Sequence, residues 1–411
     1  MSDLLKSKQL WILVNSYGIG GAESRAVKVA SQLSSLNLFK EVNLLVNEKL
    51  KQEYKKNKEL KNILDNSKVN IMLIENFYKN SLSRKIGEIK LLINKKVFRY
   101  LNRMTFIKIY LLKWISWYSL LRKNIDKNDI IHCIFDDFAR NGCFFLAQER
   151  DQKILVEITS NRLLERVFGD HIKNIFAKKK VYKNLIIRCV SETVYENSLK
   201  QLPLSFFKER GIDFHYYSGP FINIRSKLNV CEKENVLIYA HRFIQPKNPI
   251  MFSNVIKRLL DENELSGWKV KIRGTGPLCD EIVSILKPYI EKDIVDVGFS
   301  YELSEEFVTS KIFVSIIVTG NYPSNSAFEA MRNGNLLLLS DTGITKKKFN
   351  HPDIYFVDLD ENKLYHKIKK VVADCTTTKF QKKSNSMRQF FNKIVEKNSY
   401  FNEILNIYHL H

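Results

Sequence analysis

Short apolar segments alternate with amphipathic segments along nearly the whole chain, and this alternation limits the fold more than any other feature of the sequence. The first apolar run, residues 10–15, ends in the glycine-rich turn 16–21, and an amphipathic stretch follows at 22–33. This order is typical of a strand, a tight turn and a helix. Further strands are predicted in the first half of the chain at residues 42–46, 69–74, 130–135, 153–158 and 185–190.

The same alternation starts again after a polar and charged segment, residues 223–235, which we interpret as a linker. Strands that alternate with helices predict a parallel sheet covered by helices on both faces. A chain of 411 residues is long enough for two such domains. The second half is predicted to contain strands at 236–240, 268–272, 294–297, 312–317, 336–339 and 354–357, and helices at 250–260, 278–290 and 325–332.

The predicted fold class is therefore α/β, with two Rossmann-like domains that face each other across a cleft. The predicted domains are residues 1–224 and 225–385, followed by amphipathic helices at 386–411. In such sheets a nucleotide-sized ligand lies at the carboxyl ends of the strands, where the strand order reverses. With two such domains, chemistry is expected in the cleft between them.

The chain carries a formal net charge of +22, from 66 Lys and Arg against 44 Asp and Glu. Such a basic surface attracts polyanions, which include nucleic acid, anionic lipid and phosphorylated substrates. The charge alone does not choose among these partners, and a genome that favours lysine would also contribute to it. Hydrophobic residues make up 45% of the sequence, which excludes a disordered chain.

Neither the cysteines nor the apolar segments indicate an exported or membrane-spanning protein. The six cysteines are scattered and none forms a C-x-x-C pair, so the sequence predicts neither a zinc site nor a disulfide framework. No stretch reaches the roughly 20 apolar residues that span a bilayer, and residues 1–9 are polar. We expect a cytoplasmic protein with reduced cysteines, either soluble or peripheral to a membrane.

Gly20 and Gly21 lie where the first strand turns into its helix. Glycines at this point let the backbone approach a ligand closely, and the N–H groups that begin the helix favour an anion. The alternative is a tight turn without a ligand, because many α/β proteins turn sharply here.

Arg242 and Lys247 follow the first strand of the second half. A guanidinium and an ammonium at the carboxyl end of a strand suit a diphosphate, because they offset the charge that develops on a departing nucleotide. The alternative is a solvated loop. After the next strand come Gly274 and Gly276, which are either turn residues or a point of backbone contact with the nucleotide.

The segment 321–331 joins an apolar strand to a helix and is the most informative part of the sequence. Asn325 or Ser326 is predicted to cap that helix, whose N–H groups would face a phosphate. Glu329 follows in the first turns, where a carboxylate can accept hydrogen bonds from both ribose hydroxyls. The alternative for Glu329 is an acid favoured there by the helix dipole.

These motifs, and the order in which they occur along the chain, resemble those of the retaining GT-B glycosyltransferases known as glycosyl transferases group 1. The matching motifs are Gly-Gly-Ala-Glu at 20–23, the pair Arg242 and Lys247, Gly-x-Gly-Pro at 274–277, and the helix segment 321–331 with Gly334 after it. The resemblance spans nearly the whole chain. It implies an acceptor-binding first domain, a second domain that binds the nucleotide-sugar, and C-terminal helices that return to the first domain.

The same resemblance assigns roles to individual residues. Arg242 and Lys247 would be the catalytic residues that bind the donor diphosphate, and Glu329 would hold the ribose. The further substrate-binding positions would be Gly20, Gly21, Gly274, Gly276, Asn321, Ser326 and Ala327. Gly20 and Gly21 would let the backbone reach the donor phosphate, to which Ser326 and Ala327 would offer backbone N–H groups. The donor would be a UDP- or GDP-sugar that acts as a substrate, without a cofactor or a metal.

The chain departs from the family in two places. The family usually has a second acid a short spacer before Glu329, and here that place holds Gly320 or Asn321. The family's first domain often has a His after a strand near residue 158, where this chain has Glu157. His132 and the acids Asp136 and Asp137 are further candidates for the catalytic or acceptor site. The segment Asp358-Leu359-Asp360 forms a D-x-D motif, but we interpret Asp360 as a helix N-cap or a first-turn acid and not as a metal ligand.

Residues 77–123 combine many Lys and Arg side chains with Phe, Tyr and Trp, and from residue 80 onward Glu88 is the only acid. Such a helix can lie in an anionic membrane surface. The alternative is that the aromatics are core and the cations a solvated face. A third hypothesis is that these side chains bind nucleic acid, but no nucleic-acid module is recognisable.

The sequence thus predicts transfer of a sugar from a nucleotide-sugar to a saccharide acceptor. We expect the acceptor to be lipid-linked, or a glycan of the lipopolysaccharide, capsule or O-antigen type, met at the inner face of the cell membrane. The expected partners are the donor, this acceptor and an anionic membrane surface, and not nucleic acid. The alternatives are a GT-B sugar-nucleotide epimerase, a basic nucleic-acid-binding protein and a degenerate binding protein.

Overall fold

The computed structural model divides into two compact units, Met1–Tyr217 with His409–His411, and Ser218–Tyr408. The predicted boundary at residue 224 thus lies seven residues beyond the one between residues 217 and 218. The structure describes residues 5–16, 18–77, 109–135, 137–159, 181–182, 184–217, 221, 232–301, 303–397 and 400–409. Most of the predicted linker, Asp136 and residues 78–108 of the basic aromatic segment lie outside these ranges.

The first unit contains a parallel sheet of seven strands in the order β3-β2-β1-β4-β5-β6-β7. The strands are β1 Gln9–Val14, β2 Glu41–Val46, β3 Val69–Leu73, β4 Ile130–Phe135, β5 Ile154–Ile158, β6 Leu185–Cys189 and β7 Asp213–Tyr216. The helices are α1 Gly21–Ser35, α2 Glu48–Lys56, α3 Lys58–Asp65, α4 Ile74–Phe77, α5 Ile109–Asn124, α6 Asp137–Glu149, α7 Glu192–Gln201 and α8 Leu204–Lys208.

The second unit contains a parallel sheet of six strands in the order β10-β9-β8-β11-β12-β13. The strands are β8 Glu234–Ala240, β9 Lys269–Arg273, β10 Val295–Gly298, β11 Ser310–Ser315, β12 Leu336–Ser340 and β13 Tyr355–Val357. The helices are α9 Pro249–Asp261, α10 Cys279–Ile290, α11 Leu303–Thr309, α12 Asn325–Arg332, α13 Thr345–Lys348, α14 Glu361–Ala373, α15 Thr377–Lys397 and α16 Tyr400–His409.

Both sheets confirm the predicted α/β class with Rossmann-like topology. Their central strands are buried on both faces and therefore appear in the sequence as continuous apolar runs, such as Leu336–Ser340. In each sheet the strand order reverses once, between β1 and β4 in the first and between β8 and β11 in the second. The loops that follow these four strands border the crevice where this topology holds its ligand.

The C-terminal helices begin before the position predicted from the sequence. Helix α15 starts at Thr377 and runs through the boundary predicted at residue 385. Its residues Met387 and Phe391 are buried in one core cluster with Phe328 and Met331 of α12. This half of the C-terminal segment therefore packs on the second unit, and the return of the segment to the first unit stays a prediction. Among the described residues, no helix has both the length and the apolar character needed to cross a bilayer.

Candidate nucleotide site at the switch point of the second sheet

The loop after β8 is fastened to the loop after β11, so the two loops form one rigid edge of the crevice. A short 3-10 turn, Gln245–Lys247, ends at Asn248, whose backbone is left-handed with a φ of 53°. The Asn248 side chain donates to the backbone oxygen of Ile316 at 2.9 Å. In return, the N–H of Val318 donates to the backbone oxygen of Pro246 at 3.0 Å.

Arg242 and Lys247, here called the cation pair, lie on this loop. The Arg242 side chain is exposed and Lys247 is half-buried. Within the described part of the chain, neither cation forms a side-chain hydrogen bond or an ion pair. Burial lowers the pKa of Lys247, and the neighbouring charge of Arg242 lowers it further. Two adjacent positive charges without a counter-ion favour the binding of an anion.

The cation on the neighbouring strand is in the opposite situation. Arg273, at the end of β9, donates from Nε to Glu306 at 2.7 Å and pairs through its other nitrogen with Asp296. These two acids raise the pKa of its guanidinium. Lys271 is also close to Glu306, at 3.4 Å. The charge of Arg273 is therefore neutralised within the fold, whereas the cation pair has no counter-ion among the described residues.

Gly274 and Gly276 have a structural reason to be glycines. A Cβ at position 274 would lie 1.9 Å from the backbone oxygen of His241, and one at position 276 would lie 2.4 Å from that of Phe243. The same two loops are joined by a hydrogen bond from the Phe243 N–H to the Thr275 backbone oxygen at 2.9 Å. The glycines thus let the loop after β9 support the cation loop, and their contact with a nucleotide stays a prediction.

Helix α12 is capped by Ser324, which corrects the predicted cap at Asn325 or Ser326. The Ser324 side chain accepts from the N–H of Ala327 at 3.4 Å, so Asn325 and Ser326 occupy the first two helical positions. The Ala327 N–H is therefore already engaged, while the Ser326 N–H has no partner among the described residues. Glu329 lies half-buried in the second turn, and its contact with a ribose stays a prediction.

Asn321, predicted to bind substrate, is instead held inside the fold. Its side chain is 1% exposed, accepts a hydrogen bond from Ser315 Oγ and donates to Ser340 Oγ at 2.9 Å. It also donates to the backbone oxygen of Ser315 at 3.2 Å, and its own N–H donates to Thr345 Oγ1 at 2.7 Å. The side-chain amide of Asn321 is thus occupied within the fold, where it holds the loop after β11 in place and is not available to a sugar.

In the predicted glycine turn of the first unit, the backbone N–H of Gly20 is hydrogen-bonded within the turn. Gly20 precedes helix α1 in an extended conformation, and its N–H donates to the carboxylate of Glu23 at 2.9 Å. The Gly20 N–H is therefore not open to a phosphate, and the ligand contact predicted for Gly21 stays a prediction. The role of Glu23 was not predicted, although an acid three residues after the N-cap is the pattern of a capping box.

His132 lies in a buried polar cluster of the first unit. The Glu157 carboxylate is fully buried and contacts His132 Nε2 at 3.0 Å, the Tyr217 hydroxyl at 3.0 Å and the Arg25 guanidinium. His132 is itself fully buried. The described geometry therefore places His132 in the interior rather than at a reactive surface. Arg25 and Tyr217, the other two partners of Glu157, are far away in the sequence and were not predicted.

The D-x-D motif is not built as a metal site. Asp360 accepts from the N–H of Lys363 at 2.8 Å and caps helix α14, which confirms the predicted cap. Asp358 pairs with the Lys363 ammonium at 2.6 Å. Across the described ranges, no group of three or more His, Cys, Asp or Glu could hold a metal ion.

The described end of the basic aromatic segment is partly core. Trp117 of α5 is 5% exposed and belongs to the core cluster of the first unit. Arg122 pairs with Glu149 of α6 at 2.7 Å. For these residues the structure agrees with the core alternative, while the membrane hypothesis for the rest of the segment stays a prediction.

Several solved structures share this fold over nearly the whole chain, at low sequence identity. A glycosyltransferase from Rickettsia africae has a TM-score of 0.62 and 15% identity, and the match covers 98% of each chain. S. aureus TarM, in complex with Fondaparinux, alpha-GlcNAc-glycerol and UDP, has a TM-score of 0.67 and 12% identity, with 98% of this chain and 99% of that chain covered. Anabaena HepE, in complex with UDP and glucose, has a TM-score of 0.61 and 11% identity, with 97% and 99% covered.

No protein-family model and no curated protein matches the sequence. The structural likeness therefore carries the assignment, and it extends over both α/β units. The chain has the GT-B fold, which it shares with these glycosyltransferases.

Proposed function

We propose that the protein is a glycosyltransferase that moves a sugar from a nucleotide-sugar, a UDP- or GDP-sugar, to a saccharide acceptor. The observation that carries this proposal is the cation pair: two positive charges, with no counter-ion among the residues that the structure describes, follow a strand at the switch point of a Rossmann-like sheet, where this topology holds its ligand. The fold supports it, since TarM and HepE were solved with UDP.

The cation pair would act on the leaving nucleoside diphosphate. As the bond between the sugar and the diphosphate breaks, negative charge develops on the phosphate oxygens. The Arg242 guanidinium and the Lys247 ammonium would stabilise this charge more strongly in the transition state than in the bound donor. In this mechanism the two side chains replace a metal ion, so we propose a metal-independent reaction. Retention of the anomeric configuration is proposed from the resemblance to the retaining family.

Helix α12 would contribute to the same diphosphate and to the ribose. The Ser326 N–H points along the helix axis at its positive end, which favours a phosphate oxygen. Glu329, one turn further along, would accept hydrogen bonds from the ribose hydroxyls. Since the loop 316–324 contains no Asp or Glu and Asn321 is buried, no carboxylate from this loop would contact the transferred sugar.

For the acceptor we propose a lipid-linked saccharide or a glycan of the lipopolysaccharide, capsule or O-antigen type. The net charge of +22 supports it, because such acceptors are met at an anionic surface. The protein would work in the cytoplasm as a peripheral protein on the inner face of the membrane. Flotation with anionic liposomes tests this part: binding at low salt that is lost at high salt is expected, and no binding at low salt contradicts it.

The donor is identified by thermal-shift measurements with UDP, GDP and ADP, because a bound nucleotide stabilises the folded protein by mass action. We expect UDP or GDP to raise the melting temperature of the parent but not that of the R242A/K247A variant. Release of the nucleoside diphosphate from the donor should then depend on a saccharide acceptor. Consumption of a UDP-sugar without any acceptor would identify an epimerase, and absence of every nucleotide shift would contradict the proposal.

A further inference from the structure

His241 is the first residue after β8 and directly precedes the cation pair at the switch point. Its ring packs edge-on against Tyr239 and tilted against Phe313 of β11, with centroid distances of 5.0 and 5.9 Å. Its N–H donates to the backbone oxygen of Arg273 at 3.0 Å, and its carbonyl oxygen lies tightly against Gly274. The imidazole therefore has a fixed position beside the proposed diphosphate.

The Nε2 atom of this ring is buried and has no hydrogen-bond partner among the residues that the structure describes. Such an atom costs free energy, because it has given up its hydrogen bonds to water and gained none in the fold. Buried polar atoms in native proteins nearly always have a partner, and an exception calls for a functional explanation. A ligand that enters the crevice would supply the missing partner.

The ring is uncharged. Burial lowers the pKa of His241 to about 3, and the positive charge of Lys247 acts in the same direction. A neutral imidazole carries one N–H, and its other nitrogen is an acceptor. The two neighbouring cations have no counter-ion in the described ranges. The ligand atoms beside them are therefore expected to be anionic oxygens, and these need a donor.

We propose that Nε2 of His241 donates a hydrogen bond to an oxygen of the nucleoside diphosphate that the cation pair binds. This inference rests on the function proposed above and adds a third, uncharged donor to the site. It requires the neutral tautomer with its hydrogen on Nε2. The backbone of His241 is held by the end of β9 and its ring by two aromatic neighbours. Because Nε2 is buried in the free protein, the donor would reach it through a shift of neighbouring side chains and not of the ring.

Two variants separate the hydrogen bond from the packing of the ring. H241F keeps a flat ring against Tyr239 and Phe313 but has no donor, whereas H241Q keeps a donor near the position of Nε2. By calorimetry, we expect H241F to bind UDP, or GDP if the parent prefers it, about 10- to 150-fold more weakly, which is the loss of one hydrogen bond to a charged group. H241Q should recover most of this loss. Without nucleotide, H241F should melt at the same or a higher temperature, because the unpaired buried atom is gone.

The control is H366F, the same change at an exposed histidine of α14, which should leave the affinity unchanged. Binding of the diphosphate by H241F as tightly as by the parent overturns the inference. Weaker binding of the nucleotide-sugar with unchanged binding of the free diphosphate also overturns it, because Nε2 would then contact the sugar. If the parent binds no nucleoside diphosphate at all, the proposed function fails together with the inference.

Discussion

Replacing Lys247 with methionine should make the free protein more stable and its nucleotide binding weaker. Methionine has a similar length and keeps the apolar stem of the side chain in place. The variant removes a half-buried positive charge that Arg242 repels and that no acid among the described residues neutralises. The same charge is the one that we expect to contact the diphosphate.

A hydrogen bond from an ammonium to an anionic oxygen contributes about 1.5–3 kcal/mol. Since 1.4 kcal/mol corresponds to a factor of ten, K247M should bind the nucleoside diphosphate about 10- to 150-fold more weakly. For the free protein, relief of desolvation and of repulsion works in the opposite direction. A gain of about 1 kcal/mol would raise the melting temperature of a domain of this size by about 2–4 °C.

The titration of Lys247 should also make the stability of the parent depend on pH. The pKa of Lys247 is lower in the folded protein than its usual value of 10.5. At a pH between the pKa of Lys247 in the folded protein and that in the unfolded chain, the unfolded chain binds a proton that the folded protein has lost. The free energy of unfolding of the parent therefore rises with pH across this window. K247M should lack this rise.

The measurements are calorimetric titration with UDP or GDP, and urea unfolding from pH 7 to pH 10. The matched control is K287M, because Lys287 is an exposed lysine of α10 that lies 3.9 Å from Glu291, a surface pair of little energetic value. The reasoning is refuted if K247M keeps the affinity of the parent. It is also refuted if the free K247M protein is less stable than the parent at pH 7.

Three further substitutions test the framework of the site by thermal or urea unfolding. N321D should lower the free energy of unfolding by about 2–4 kcal/mol, because a buried carboxylate replaces an amide that donates two hydrogen bonds; an unchanged value would mean that this side chain faces the ligand. G274A should destabilise the protein and weaken nucleotide binding, since its Cβ would meet a backbone oxygen at 1.9 Å, whereas G298A meets only an arginine nitrogen at 3.8 Å and should be neutral. K233M should cost about 2–4 kcal/mol, because the ammonium donates to three backbone oxygens at 2.7–3.0 Å; a smaller loss than that of K287M would contradict this.

The strands were predictable because most of them are buried on both faces. The prediction of residues 130–135 agrees with the observed Ile130–Phe135, and most other strands differ by one or two residues at their ends. The exception is β7, Asp213–Tyr216, which was missed. It is a four-residue edge strand in which exposed and buried residues alternate, so it has no apolar run.

The site was predictable where position along a strand determines it. Arg242 and Lys247 follow the first strand of the second sheet, and the topology alone places them at the crevice. The environment of Asn321 was not predictable, because its partners Ser340 and Thr345 come 19 and 24 residues later and are brought together by β12. The cap at Ser324 was missed by one residue, because adjacent Ser and Asn side chains all favour that position.

At the carboxyl edge of the second sheet, some polar groups are paired within the fold and others have no partner among the described residues. Arg273 is paired with two acids, and the Asn321 amide is occupied by its hydrogen-bond partners. Arg242, Lys247 and the Nε2 atom of His241, in contrast, lie on a single loop and have no hydrogen-bond or ion-pair partner within the described residues. Leaving Lys247 and Nε2 of His241 unpaired costs free energy because both are removed from water, and the exposed Arg242 adds repulsion to the charge of Lys247. If these groups bind an anion, replacing Arg242, Lys247 or His241 should stabilise the free protein or leave it unchanged. Only the ligand-bound state should lose stability.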